Sequence, residues 1–357
     1  MSQSRKGRVT IQDVAQRAGV TKTTVSHAIS GKRPVAKETR ERVFAAMWEL
    51  SFRPNPLARR LAGGSGHAIA LVFPLASPSL SAVELRFIHS IAEVVNRSPY
   101  SLLTLSSPRV ETSDLQQMIV TGLVEGIILM RIDLVDERVN LLQREDVPFV
   151  MVGRTVEHQG LPFVDLDSAT AMDIAFEHLR QFGHTQIAFI HPDDTNFGFA
   201  YRLLEGHRQA CERRGLDVIA EPAALSDEAG RRAVSNLLDR RPGVTAIIVW
   251  SDVVTVGVLR ALHDRHLQVP TDISLISFDR SDQLRLASSD LTIIDTRADE
   301  VGARAARMLL DFLDRRLTEP GQVLVAPRLV VGQSTGPPRN GSRHSPVPAA
   351  PALAERG

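Results

Sequence analysis

Three sets of polar residues have the types and spacing to do chemistry. Lys22, Thr23, Ser26 and His27 fall in one short amphipathic stretch, on the side away from Val25, Ala28 and Ile29. They offer a cation, hydroxyls and an imidazole, the mix of donors and acceptors that reading base edges requires; the alternative is the polar face that any amphipathic helix has. A second set follows strand-like runs: Gly153-Arg154, Ser251-Asp252 and Asp279-Arg280-Ser281-Asp282. Carboxylates and arginines around a cleft suit a hydroxyl-rich ligand, because each hydroxyl both donates and accepts, and Phe197, Phe199 and Trp250 could supply an apolar wall. The alternative for Asp252 and Asp282 is that they only cap the helices that follow. The third set is histidine. His263 and His266 stand three apart with no further ligand nearby, so a solvated helix face is expected rather than a metal site. His178 and His184 flank a helix end at Gly183 and read as structural.

No G-x-G-x-x-G follows a strand, no phosphate-binding G-x-x-x-x-G-K-[ST] occurs, and no G-x-S-x-G elbow is present. The lone Cys211 sits on an ordinary helical face. Neither catalytic residues nor a cofactor is expected.

The charges sort sharply along the 357 residues. The net charge is only +1, yet residues 1–65 carry 13 Lys and Arg against 4 Asp and Glu, and the remainder carries 29 against 37. A basic head gains affinity for a polyanion by releasing counterions from phosphates, so double-stranded nucleic acid is the expected partner. The longest clean apolar run, Ile69 to Phe73, is far short of the ~20 residues of a membrane span. With no leader pattern and one cysteine, a reducing cytoplasm is expected, without membrane contact.

The elements that position these residues follow two grammars. The head reads as three short helices. Thr10 caps the first with Asp13 as reciprocal partner, and Ile11, Val14, Ala15 and Ala18 form its apolar side until Gly19 ends it. Thr21 caps the second. After a loop at Gly31 to Pro34, a third runs from about Lys37 to Leu50 and is expected to bury Val43, Phe44, Met47 and Leu50. Helix, glycine turn and helix is a DNA-binding pattern whose second helix enters the major groove. Asn55 and Pro56 then open a helix of barely two turns that glycines 63, 64 and 66 close, too short to be stable alone. From His67 onward strand-like runs (Ala68–Phe73, Ser101–Leu105, Gly126–Met130, Phe149–Val152, Ile187–His191, Asp217–Ala220, Ala246–Trp250 and Ile273–Phe278) alternate with helical ones, including Val83–Asn96 and Tyr201–Arg214. That alternation means parallel sheets covered on both faces, here in two lobes with a cleft between them. Gly336 to Gly357, with five prolines, is expected to be disordered.

The run from Val9 to Ile29, VTIQDVAQRAGVTKTTVSHAI, resembles the start of LacI/GalR-type transcriptional regulators. So do Thr39-Arg40 with Val43, Arg53-Pro54-Asn55 through Ala58-Arg59 and Leu61, Asp167, His178-Leu179 with Gly183-His184, Val269-Pro270-Thr271-Asp272 and Phe278-Asp279. The resemblance covers about residues 9–335. It implies an all-α helix-turn-helix head on an α/β body like periplasmic binding proteins, with two doubly wound parallel-sheet lobes. The implied division is a DNA-binding domain at 1–52 and a hinge helix and linker at 53–66. Lobe 1 then comprises about 67–164 plus 296–324, and lobe 2 about 165–295 plus 325–335. It also implies a cytoplasmic homodimer reading a near-palindromic operator, in the first instance as a repressor controlled by a sugar or sugar derivative.

By the same resemblance Lys22, Thr23 and His27 fall on base-reading positions. Thr10, Thr21, Thr24, Ser26 and Asn55 fall on phosphate- or sugar-contacting ones, Leu57 and Ala58 on the DNA-facing hinge, and Leu61 on a minor-groove wedge. Arg154, Phe197, Arg202, Trp250, Ser251, Asp252 and Asp279 are the candidate effector contacts. Several residues depart from the pattern. His27 replaces a usual Arg, Ala36 a usual Ser cap, Ser168 an Asn, and Ser251 a strand-end Asn. Arg202 lies four rather than three residues before Gly206, and Leu225 stands where a stacking aromatic can occur. The tail has no leucine heptad, which favours a dimer over a coiled-coil tetramer. The competing readings are an α/β enzyme or sugar kinase with a DNA-binding head, disfavoured by the missing motifs, and a solute-binding transport component, disfavoured by the cationic head.

Overall fold

The computed structural model describes residues 10–30, 35–50, 52, 68–75, 80–107, 110–287, 290–318 and 321–339. The hinge positions Asn55, Leu57, Ala58 and Leu61 lie outside the described residues.

The head consists of α1 (Ile11–Ala18), α2 (Lys22–Ser30) and α3 (Lys37–Glu49). The Asp13 carboxylate accepts from the Thr10 N–H at 2.7 Å and from its hydroxyl at 2.8 Å, closing the first turn of α1. Gly19 takes φ +66°, a left-handed conformation that turns the chain into α2 at no steric cost. Val14, Ala15, Ala18, Val25, Ala28, Val43 and Ala46 form the core, whose small side chains let the helices approach closely. Phe44, expected in that core, is 43% exposed, because it is turned about 100° away from Val43 on the helix. The buried stripe instead continues through Ala46 to the partly covered Met47 and Leu50. Phe44 lies under the Arg40 guanidinium at 5.7 Å.

In chain order the body runs β1 (Ala68–Pro74), α4 (Ala82–Asn96), β2 (Ser101–Ser107), α5 (Thr112–Val120), β3 (Gly126–Leu129), α6 (Glu137–Arg144), β4 (Phe149–Val152) and β5 (Phe163–Leu166). It continues with α7 (Ser168–Gln181), β6 (Ile187–Pro192), α8 (Gly198–Arg214), β7 (Ile219–Ala223), α9 (Asp227–Arg240), β8 (Ala246–Val249), α10 (Asp252–Asp264), β9 (Ser274–Phe278), α11 (Asp282–Ala287) and β10 (Thr292–Asp295). It ends with α12 (Ala298–Leu313), β11 (Gln322–Val325) and β12 (Arg328–Val330). No helix among the described residues is long and apolar enough to cross a membrane.

The strands make two six-stranded sheets, ordered β11-β5-β4-β3-β1-β2 and β12-β10-β9-β8-β6-β7. Within each, the first five strands in sequence follow one doubly wound order, all parallel; only β12 pairs antiparallel, with β10. Helices cover both faces, which is why the central strands read as unbroken apolar runs: every residue of β3, β4, β8 and β9 is buried. The first lobe's core joins Ile69, Leu71, Val150 and Val164 to Ile91 of α4 and to Val301 and Leu309 of α12. The chain therefore passes between lobes after β5, after β10 and after β11. Four strands were absent from the sequence expectation: β5, β10, β11 and β12, each of three or four residues.

Gly336 to Arg339, expected to open a disordered tail, are held on the second lobe. The Gly336 N–H donates to Ser274 Oγ at 3.0 Å, its carbonyl lies 2.8 Å from His184 Nε2, and Arg339 pairs with Asp272 at 2.7 Å. His178 meets the Thr335 hydroxyl at 2.8 Å, so both histidines anchor this strap, and burial lowers both imidazoles. Residues 340–357 lie outside the described ones.

Candidate functional site

On the head, Lys22 and Thr23 are exposed and Ser26 and His27 half-buried, so α2 presents them on the side opposite Val25 and Ala28. Thr21 caps α2: the Thr24 N–H donates to Thr21 Oγ1 at 3.1 Å, and the two hydroxyls lie 2.9 Å apart. Ala36 gives α3 no side-chain cap.

In open α/β sheets ligands collect beyond the carboxyl ends of the strands, near the point where the strand order reverses. The two lobes face each other with these ends, and between them lies a cavity of about 140 Å³. Met130, Val152, Leu166, Phe87, Phe197, Phe199, Leu225, Trp250 and Phe278 make it largely apolar. Arg202, Asp165, Ser251, Asp252, Asp279 and Thr296 bring the polar groups. Of the effector candidates, Phe197, Arg202, Trp250, Ser251, Asp252 and Asp279 line this one cavity. Arg154 does not line it. Its guanidinium lies behind, 3.1 Å from Asp165 and 5.3 Å from the Phe163 ring centroid.

Two buried polar atoms on residues that line the cavity lack hydrogen-bond partners among the described residues. The Arg202 Nε lies 3.0 Å from Asp165 and its Nη1 donates to the Arg154 carbonyl at 2.8 Å, while Nη2 has no partner. Burial lowers Arg202, and the Asp165 charge opposes that shift. Asp252 is 1% exposed; its Oδ1 accepts from the Ser251 hydroxyl at 3.3 Å and its Oδ2 accepts nothing. Ser251, not Asp252, caps α10, through the Val253 N–H at 3.2 Å. The Asp252 carboxylate is therefore spare. A buried donor and a buried acceptor without partners are costly until a ligand supplies both.

Asp279 is engaged differently. It sits at φ +55°, a conformation a non-glycine residue holds only when its surroundings impose it. The Thr296 N–H and hydroxyl donate to its Oδ1 at 3.1 and 3.0 Å, and Arg86 Nη1 donates at 3.2 Å. Burial pushes the Asp279 carboxyl up to about 7, although Thr296 and Arg86 pull it down. Sequence reasoning missed Asp165, Arg86 and Thr296. Asp165 carried one signal, a carboxylate in the otherwise apolar run FVDL.

Residues 10–55 match the family profile "Bacterial regulatory proteins, lacI family", and residues 176–335 match "Periplasmic binding protein-like domain". The chain is 32% identical to the HTH-type transcriptional regulator AglR of Rhizobium meliloti (strain 1021), over 95% of this chain and 97% of that one. Its fold is similar to the lac repressor dimer bound to operator and the anti-inducer ONPF, with TM-score 0.78, 24% identity, 92% of this chain and 99% of that one covered. It is also similar to the transcriptional regulator CelR–cellobiose complex, with TM-score 0.68, 24% identity, and 92% and 100% covered. A helix-turn-helix head, a two-lobed parallel-sheet body and one-third identity along nearly the whole of a regulator place this chain in the LacI family of bacterial transcriptional regulators.

Proposed function

We propose that the chain is a ligand-controlled repressor in which the head reads a near-palindromic operator and the interlobe cavity takes a carbohydrate. The observation that carries the ligand half is that Arg202 Nη2 and Asp252 Oδ2 are buried, unpartnered groups of opposite polarity on residues lining one aromatic-walled cavity. A sugar ring satisfies both through hydroxyls and lays its C–H face on Phe197 or Trp250. In the DNA half, Lys22, Thr23 and His27 read bases and Thr10, Thr21, Thr24 and Ser26 hold the backbone. Residues 53–66 act as a hinge, with Asn55, Leu57 and Ala58 on DNA and Leu61 as wedge. Unstacking one base step costs a few kcal/mol, offset by the wider surface that bent DNA meets.

The chain works as a homodimer in the cytoplasm, at the nucleoid. The second lobe carries a groove between α10 and α11, lined by Val256, Leu259, Leu267, Val269 and the 90% exposed Leu286, with Asp227, Arg260, His263 and Asp264 among its polar residues. A self-complementary pairing across a two-fold axis would bury it. A sugar shifts operator affinity by favouring one lobe arrangement, and so one spacing of the two heads.

The test is selection of fragmented genomic DNA on the full-length protein, with and without a panel of sugars, followed by sequencing. Recovery of a two-fold site whose occupancy changes with one sugar is the expected result. Only salt-sensitive, sequence-independent binding under every condition would overturn the reading.

A further inference from the structure

Among the described residues, the one cation in ion-pair contact with Asp279 comes from the other lobe, and it does not line the cavity. It is Arg86, in the second turn of α4. Ser81 and Glu84 cap that helix reciprocally, the Glu84 N–H donating to Ser81 Oγ at 3.2 Å and the Ser81 N–H to the Glu84 carboxylate at 2.8 Å. Gly302 sets the approach of α12: a Cβ there would run into Ser90 Oγ and stand 3.0 Å from the Phe87 carbonyl, both on α4. Asp299, in the first turn of α12, is thereby brought beside Arg86. Its Oδ2 accepts from Arg86 Nε at 2.9 Å and from Nη2 at 2.8 Å. That side-on grip fixes the plane of the guanidinium and leaves Nη1 3.2 Å from Asp279 Oδ1, in the second lobe. Exposure falls along this line of charges, from 56% at the Asp299 side chain through 30% at Arg86 to 5% at Asp279. The solvated carboxylate anchors the fork, and the buried one receives its far end.

We propose that Arg86 is a positioning residue for the ligand cavity: from the first lobe, and without lining the cavity, it holds Asp279 of the second lobe as a charged acceptor in the cavity wall. Thr296 alone does not do this. Its N–H and hydroxyl satisfy Asp279 whether or not the carboxyl carries a proton, whereas a buried carboxylate needs a counter-charge to stay ionised. The other charges nearby give no help. Asp295, at the end of β10, opposes ionisation, and Arg280 and Asp282 on the segment of Asp279 itself are exposed. In the cavity Arg131 is paired with Asp194 and Arg202 with Asp165, while Glu84 and Asp252 add negative charge. With Arg86 in place the Asp279 carboxyl titrates at about 7 and is ionised above that. A charged Asp279 accepts from a ligand hydroxyl; a protonated one donates, and the cavity then selects the opposite partner. The ligand half of this rests on the carbohydrate reading above, and the tie itself can be read with protons alone.

The test compares three pairs of full-length chains: the natural chain, Arg86→Gln and Arg86→Lys, each with and without Asp279→Asn. Melting temperature is followed from about pH 4 to about pH 10. Within a pair every other titrating group is shared, so the gain of the Asn member isolates the Asp279 proton. That gain should climb with pH and level off where the folded carboxyl ionises, at about 7 in the natural pair. In the Arg86→Gln pair it should level off about one unit or more higher, the usual effect of removing an adjacent opposite charge. Arg86→Lys keeps the charge and loses the fork, so its pair should fall between the two. An Arg86 that only braced the fold would lower both members of a pair and leave the levelling pH where it was. The same levelling pH in all three pairs, or no gain of Asp279→Asn over the natural chain, would overturn the proposal. Failure of every sugar in the selection above would remove the carbohydrate reading and leave the tie standing.

Discussion

Arg86 of α4, in the first lobe, reaches Asp279 at the end of β9 in the second, with Nη1 3.2 Å from Oδ1. The same guanidinium lies 3.2 Å from Asp295 and 2.8 Å from Asp299, so one cation serves three carboxylates where the chain crosses between lobes. Asp279 is the most enclosed of the three. Burial raises its carboxyl, and its protonation changes how firmly the lobes are tied.

Stability should register that proton. The folded Asp279 titrates at about 7, against 3.8 when exposed. The protonated form favours the folded state, so this contribution is full below about pH 4 and is lost as pH rises through about 7. Asp279→Asn cannot ionise and escapes the loss. The melting temperature of the variant should therefore gain on the natural chain between pH 4 and pH 8. Parallel curves over that range would show that Asp279 does not titrate as its burial requires.

Asp165 should matter for folding more than for recognition. Its carboxylate neutralises Arg154 and Arg202 at 3.1 and 3.0 Å, and all three are largely buried. Removing it leaves two enclosed guanidinium groups with no counter-charge. Asp165→Ala should lower the unfolding free energy in urea by about 3–5 kcal/mol, the usual cost of breaking a buried pair from one side. A loss below about 1 kcal/mol would mean that water already reaches these charges.

Much of this architecture was legible in the residues, for reasons that can be named. The capping pair Thr10 and Asp13, the turn at Gly19 and the apolar runs of β1 and β3 are local signals, and a parallel sheet covered on both faces writes itself as unbroken hydrophobicity. Phe44 misled because its side of α3 lies at the rim of the head core, and only the partner helices decide that Val43 and Ala46 are covered and Phe44 is not. β5 and β10 were hidden because four residues with polar neighbours carry no periodicity. The Arg86–Asp279 tie joins residues 193 apart in sequence, and no spacing rule reaches that far. Gly336 looked like the start of a tail because its hydrogen bonds to Ser274 and His184 are tertiary.

His207 should govern the acid side of stability in the second lobe. It is fully buried against Phe176 and Phe189, with Nε2 3.7 Å from Cys211 Sγ and Nδ1 unpartnered. Burial pushes it down to about 4 from 6.5. A depressed histidine stabilises the fold above the unfolded value and loses that contribution as pH falls from about 6.5 through about 4. His207→Leu should flatten the decline in urea midpoint over this window. His178 and His184, both also lowered, should keep part of it. An undiminished decline in His207→Leu would place the acid sensitivity elsewhere.

Asp252 and Ser251 are neighbours whose roles separate cleanly by mutation. The Ser251 hydroxyl caps α10, so Ser251→Ala should cost about 1 kcal/mol of stability and change sugar affinity little. Asp252 contributes no cap through its spare Oδ2, which is buried and accepts no hydrogen bond. A hydroxyl donating to that oxygen makes a charge-assisted bond worth about 1.5–3 kcal/mol. Asp252→Ala should therefore weaken binding of the effector about 10- to 100-fold in calorimetric titration. Its melting temperature without ligand should hold or rise, because a costly unpaired acceptor has gone. Loss of stability with affinity intact would reverse the assignment and make Asp252 part of the helix start, as the bare sequence allowed.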